Sequence, residues 1–147
     1  ITDYADAEAI QEAFESYCNE NDKEETFNFV LVSSELQILE KLQGSKVDLE
    51  TIEYLEQAEA IEDYNLIKFE YLYDCLGYDL VDATDKHEDI VVYEDIEDYI
   101  HELINDCYEL PQIALNYFDY EAFQRDLELG GDVCEYKSQW IINANEF

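Results

Sequence analysis

The chain has 147 residues, of which 39 are acidic and 7 basic, for a formal net charge of -32. Hydrophobic residues make up 48% of it and aromatic residues 14%, with one Pro and four Gly, which excludes the disordered acidic tail that such a charge first suggests. A surface this negative also excludes affinity for nucleic acid or an anionic membrane, and directs attention to basic proteins or to grooves built to hold nucleic acid.

In chain order the pattern is mixed α and β. Ile10, Phe14 and Tyr17 recur at helical spacing, so residues 5–20 predict a helix. Thr26 to Val32 is aromatic and β-branched, which predicts a strand. Ser34-Glu35-Leu36-Gln37 is a capping-box pattern, opening a helix that stops at Gly44. Asp48 caps a helix running to about Ala60, and Asp63 caps the next, which ends before Gly77. Ile90, Val91, Val92 and Tyr93 make a short strand within Asp89–Glu94. Asp95 opens a helix to about Cys107. Pro111 suits the first turn of a short helix, where its missing N–H is not needed. Asp119 caps a helix ending at Gly130, with Gly130-Gly131 as its stop. Two short strands follow, at Val133–Tyr136 and Trp140–Ile142. The expected fold class is α+β: elongated, mostly helical with small β-sheets, in two or three small subdomains.

Charge divides the chain into three regions. Residues 1–47 carry 11 acids and 3 lysines, residues 48–106 carry 20 acids and 2 lysines, and residues 107–147 carry 8 acids, Arg125 and Lys137. These are the expected N-terminal α/β, strongly acidic middle and C-terminal subdomains. The middle holds a net -18 of the total, so the interaction surface is sought there first.

Glu50, Glu53, Glu56, Glu59 and Glu62 recur every third residue, with Leu49, Ile52 and Leu55 on the same period, so one acidic and one apolar strip are expected on the helix. The bland alternative is an ordinary solvated helix face. Such faces mix signs, because a Glu–Lys pair at i,i+4 adds about 0.2–0.5 kcal/mol and like pairs cost a similar amount. No Lys or Arg stands between Val47 and Ile67. The run continues through Asp63, Asp74, Asp79, Asp82, Asp85, Glu88 and Asp89. Glu94, Asp95, Glu97, Asp98, Glu102 and Asp106 complete it, and Lys86 is the only cation after Lys68 in this run; all of these acids except Asp79 and Asp106, sixteen in number, are expected to stand in for phosphates against a partner.

Other chemistry is weakly supported. An EF-hand loop needs a central Gly and a Glu at its twelfth position, which neither Asn19–Glu25 nor Asp85–Asp98 supplies. No dedicated metal site or cofactor is expected. With 39 carboxylates, any acid–base pair is unspecific. His87 and His101 are the only imidazoles, and no P-loop, G-x-S-x-G or G-x-G-x-x-G occurs. The expectation is a non-enzyme. Cys18, Cys75, Cys107 and Cys134 form no C-x-x-C pair and read as small buried hydrophobes of a reducing compartment. Without a secretory h-region or an apolar run near 18 residues, a cytoplasmic protein is expected. The chain starts at Ile1 and has no Met, so a natural start upstream is also expected.

The charge is large enough to rival DNA. Duplex DNA carries one charge per about 1.7 Å of axis. A compact chain of this length has a radius of gyration of ~15 Å and a diameter of ~38 Å. Duplex of that length carries about 22 charges. Salt-adapted acidity is the weaker explanation, given the aromatic and Ile/Leu content beneath the acids.

The C-terminal third adds a specific pattern. Leu110-Pro111, Leu115-Asn116-Tyr117-Phe118-Asp119-Tyr120-Glu121-Ala122-Phe123 and Arg125-Asp126-Leu127-Glu128-Leu129-Gly130-Gly131-Asp132-Val133 resemble the signature of the ArdA antirestriction proteins. Gly77-Tyr78-Asp79-Leu80 and Asp89–Leu103 are similar to that family's acidic middle part, and Ile1-Thr2-Asp3-Tyr4 to a short segment near the end of its first domain. The resemblance implies an elongated acidic homodimer carried by mobile elements. It implies binding to a bacterial host's type I restriction-modification enzyme, in the groove that would hold DNA. Segment 110–133 would hold the antirestriction motif, including Asp119, Glu121 and Asp126. Tyr117, Phe118, Tyr120 and Phe123 would be partly core and partly dimer contact. Four large rings in seven residues exceed what one helix face buries alone, although a wholly intramolecular core stays open for any single ring. Two other classes also stay open: an acidic inhibitor of another nucleic-acid enzyme such as a CRISPR effector, and a chaperone of histones or similar basic proteins.

Overall fold

The computed structural model describes residues 3–147 apart from 22 and 25. Ile1 and Thr2 of the N-terminal family-like segment, and Asp22 and Glu25 of the Asn19–Glu25 stretch, lie outside the described residues. The fold is α+β, mostly helical, with two small antiparallel sheets. Its contacts group it into two compact units, Ile1–His87 and Glu88–Phe147.

In the first unit, α1 (Tyr4–Glu20) begins where the Asp3 carboxylate accepts the Asp6 N–H. Phe14 meets Phe27 edge-on at 4.7 Å, and Phe27 meets Phe29 at 5.1 Å. β1 (Phe29–Val30) pairs with β2 (Lys46–Val47) in the register Phe29↔Val47. The strand expected over residues 26–32 is thus shorter, because β2 is confined between Gly44, at φ +80°, and the cap at Asp48. The Ser34 capping box does not form. Ser34 Oγ accepts the Leu36 N–H at 3.2 Å, and only a 3-10 helix follows over Gln37–Leu42.

α2 (Leu49–Glu59) is capped by Asp48, which accepts the Thr51 N–H. It packs against α1 and against α4 (Leu80–Lys86). α3 (Asp63–Glu70) starts at Asp63 itself, so its cap lies one residue earlier than expected. Glu62 is the N-cap and Asp63 lies in the first turn, where its charge still favours the positive helix end. A π-helical turn over Tyr71–Cys75 continues α3 and stops before Gly77, at φ +77°. α4 has no counterpart among the elements expected from sequence. Asp79, which looks like one more acid in a run, caps it through the Asp82 N–H, while Leu80, Ala83 and Thr84 are buried. Leu39, Leu55, Ala58, Phe69 and Leu72 supply buried core in this unit.

In the second unit, β3 (Val92–Tyr93), β4 (Cys134–Tyr136) and β5 (Gln139–Ile141) form a sheet in the order β3-β5-β4. α5 (Ile96–Cys107) is capped by Asp95, α6 (Gln112–Leu115) follows Pro111, and α7 (Tyr120–Gly130) is capped by Asp119. Gly131 ends α7 at φ +78°, the left-handed position that glycine adopts without a Cβ penalty. Ile96, Ile100 and Ile104, one helical turn apart, bury with Val133 and Ile142. Each such side chain contributes about 1.5–3 kcal/mol when fully buried. Asn143 ties the sheet entrance: its side chain accepts the Val91 N–H and donates to the Asp89 carbonyl.

Candidate functional site

All sixteen acids expected to form the interaction surface are exposed: the five glutamates from Glu50 to Glu62, Asp63, Asp74, Asp82, Asp85, Glu88, Asp89, Glu94, Asp95, Glu97, Asp98 and Glu102. Both units carry part of the set. The cations are too few to cover them. Lys86 pairs with Asp82 at 3.2 Å and Lys41 with Asp74 at 3.8 Å. Even strict one-to-one pairing of 7 cations with 39 acids would leave 32 acids over. Several lysines also rest on tyrosine rings: Lys41 lies 3.8 Å from the Tyr73 centroid and Lys86 4.9 Å from that of Tyr78.

The acids of α2 do not share one face. A three-residue step falls about 60° short of a full turn, so Glu50 and Glu59 point to opposite sides of the helix. The far end of the series is engaged within its own unit. Glu56 Oε2 accepts the Tyr4 N–H at 3.1 Å. Glu59 Oε1 accepts the Ser34 hydroxyl and, at 3.0 Å, the Glu35 N–H. Glu53 accepts a long bond from the Gln57 side chain, at 3.4 Å.

α5 offers a straighter line. Asp98, Glu102 and Asp106 step by four residues, opposite the buried Ile100, and all three are exposed. Each step advances about 6 Å along the axis, against 3.4 Å per phosphate along one DNA strand. Asp106, the last acid of the run, adds a third position to the line, four residues beyond Glu102 on the same helix. Within this line Glu102 accepts the Tyr93 hydroxyl at 2.6 Å. That hydrogen bond, then part burial and the Glu102 charge, raise the Tyr93 hydroxyl above its ordinary value. On α4, Asp85 accepts the Tyr54 hydroxyl at 3.4 Å. Asp95 and Asp119 each spend one oxygen on a helix cap, at 2.8 and 2.9 Å.

The aromatic motif divides. Phe118 packs edge-on against Tyr120 at 5.0 Å and Phe123 at 5.4 Å, and all three lie on the core of the second unit. Tyr117 is 85% exposed. Glu121 and Asp126 are also exposed. α6 and α7 bury no residue fully, and Ile113 and Leu129 are 69% and 81% exposed.

Among the described residues, no group of three or more His, Cys, Asp and Glu is placed to hold a metal ion. No helix among them is long and apolar enough to cross a membrane.

These features define a small, mostly helical α+β protein whose acids are displayed rather than neutralised. The model of the antirestriction protein (ArdA) family matches residues 1–141, and the chain belongs to that family. It is therefore an antirestriction protein, of an inhibitor family rather than an enzyme family. No curated protein and no solved structure matches it.

Proposed function

We propose that the chain inhibits a type I restriction-modification enzyme by occupying the groove that holds DNA. Its carboxylates stand where phosphates would stand, and pair with the Lys and Arg of that groove. The observation that carries this is the exposure of all sixteen acids on a chain with almost no cations to pair with them. Family membership supplies the target system. Release of counterions from both surfaces drives the association, as it does for DNA itself. Because the charge is spread, single substitutions have little effect.

The active form in this proposal is a homodimer acting in the bacterial cytoplasm. Tyr117, Ile113 and Leu129 are the apolar side chains that a second copy would cover. They lie in the region with the lowest net charge, -6 over residues 107–147, where two like-charged chains repel least.

The test is competition. The protein is mixed with a type I methyltransferase core and a labelled duplex carrying its recognition site, across a salt series. Displacement at near-stoichiometric protein, fading as salt rises, is expected. Absence of displacement at low salt would remove this target, and CRISPR effectors and histones would be assayed in its place.

A further inference from the structure

In the second unit a neutral donor, rather than a cation, holds one of the displayed acids. Glu102 Oε2 accepts the Tyr93 hydroxyl at 2.6 Å, a bond that joins α5 to β3. The donor stands on a rigid support. Half-buried Tyr93 pairs with Trp140 across the β3–β5 ladder, lies 5.4 Å from the Tyr99 ring and packs against the buried core of the unit. The Glu102 bond, part burial and then the charges of Glu102, Tyr99 and Asp106 raise its hydroxyl above the ordinary tyrosine value, so it stays protonated and donating at neutral pH. A carboxylate offers about four lone-pair sites. One bond to Oε2 therefore leaves the charge of Glu102, and most of its acceptor capacity, exposed to a partner. Lys86 acts differently on Asp82: it holds that acid at 3.2 Å and cancels its charge. Tyrosines outnumber Lys and Arg in the chain, 13 to 7, so it has more donors that leave charge intact than donors that remove it. In the first unit Tyr54 stands in the same relation to Asp85, over a longer 3.4 Å.

We propose that Tyr93 is a positioning residue of the acidic surface, fixing Glu102 in line with Asp98 and Asp106 before a partner arrives. This role rests on the DNA-mimic reading and deepens it. Charge draws a basic groove to the chain, and position decides how well the line of acids meets it. A free glutamate on a helix surface samples several rotamers, and ordering it on binding costs affinity. A glutamate already held by a donor from the sheet has less freedom to lose.

The test is a double-mutant cycle read in the competition between the protein and a labelled duplex for the methyltransferase core. Tyr93→Phe keeps the ring and every charge and removes only the hydroxyl. It should raise the concentration needed for half-displacement about threefold, a small loss because Glu102 is one acid among many. In a Glu102→Ala background the same change should have no effect, since the hydroxyl then has no carboxylate to hold. Glu102→Asp keeps the charge but is one methylene short of Tyr93. It should lose about as much as Tyr93→Phe, and takes its place if that variant does not fold. Failure of the unaltered protein to displace the duplex would remove the DNA-mimic reading and this role with it. Displacement by the unaltered protein, with equal potency of Tyr93→Phe, would overturn the positioning role alone and leave charge as the determinant. A loss from Tyr93→Phe that persists in the Glu102→Ala background would also overturn it, by confining the hydroxyl to the fold.

Discussion

The Glu59 carboxylate accepts the Ser34 hydroxyl across 25 residues of sequence, and with the same oxygen the Glu35 N–H. An acid that looks like part of a displayed stripe is thereby also a brace between α2 and the segment after β1. Glu59→Gln should cost about 1 kcal/mol of stability, because a charge-assisted acceptor becomes a neutral one. Glu50→Gln should stay within about 0.5 kcal/mol, since Glu50 is exposed and among the described residues no hydrogen bond ties it to the fold. Urea melts of the two variants compare them directly. Equal stability would show that the Ser34 contact contributes nothing, and would free Glu59 for the partner.

Helix boundaries set by capping aspartates were legible from sequence. Asp48, Asp95 and Asp119 each cap the helix expected of them, and Gly131 closes α7. The α5 core stripe at Ile96, Ile100 and Ile104 follows from its four-residue period. α4 was not legible, because only seven residues separate Asp79 from His87 and three of the intervening positions are charged. Asp79 then reads as surface charge, although it works as a cap. The Ser34 box failed for a tertiary reason: Ser34 is drawn to Glu59, a partner no local pattern reveals. Exposure of the acids was legible from their number. Which of them also brace the fold was not, since Tyr4–Glu56 and Ser34–Glu59 are contacts between distant segments.

Asp48 accepts both the Thr51 hydroxyl, at 2.6 Å, and the Thr51 N–H, at 2.8 Å. The hydroxyl bond first, then the backbone bond, lower its carboxyl below the ordinary aspartate value. A depressed folded-state value means that the contribution is present above the unfolded value, about pH 4, and fades as pH falls through the lower folded value. Asp48→Ala should therefore destabilise the protein by about 1 kcal/mol at pH 7. The gap should narrow below about pH 4. Thermal melts of both proteins from pH 7 to pH 3 check it; a gap that widened on acidification would contradict the cap.

The Tyr93–Glu102 bond makes an opposite, alkaline prediction. With the tyrosine raised in the folded state, its contribution is complete below the unfolded value near 10 and is lost as pH rises through the folded one. Glu102→Gln removes the charged acceptor, so one tyrosine should ionise at lower pH. Ultraviolet absorbance titration reads this in the native protein. An unchanged titration curve would place the Tyr93 hydroxyl in solvent.

Self-repulsion predicts the response to salt. A chain of net -32 pays a Coulombic cost on compaction, and the screening length shrinks to about 10 Å at 0.1 M salt. Its melting temperature should rise between low salt and moderate NaCl. A fall would mean that the few lysine contacts outweigh the repulsion among the carboxylates. This trend runs against that expected for target binding, which weakens with salt, so the two measurements separate fold from interface.

The β4–β5 hairpin turns through Lys137 and Ser138, at φ 48° and 64°, between the paired residues Tyr136 and Gln139. A two-residue hairpin loop with both central residues left-handed is the type I′ arrangement, which favours Asn-Gly. Lys137 and Ser138 each have a Cβ that the left-handed region penalises by about 1–2 kcal/mol. Ser138→Gly removes that penalty and gives part of it back through the greater freedom of Gly in the unfolded chain. The net gain should be about 0.5–1 kcal/mol, read as a higher urea midpoint with an unchanged slope. The turn lies in the second unit, away from the sixteen acids in sequence, so displacement of DNA by the variant should match that of the unaltered protein. A lower midpoint would mean that the Ser138 side chain makes a compensating contact on the hairpin.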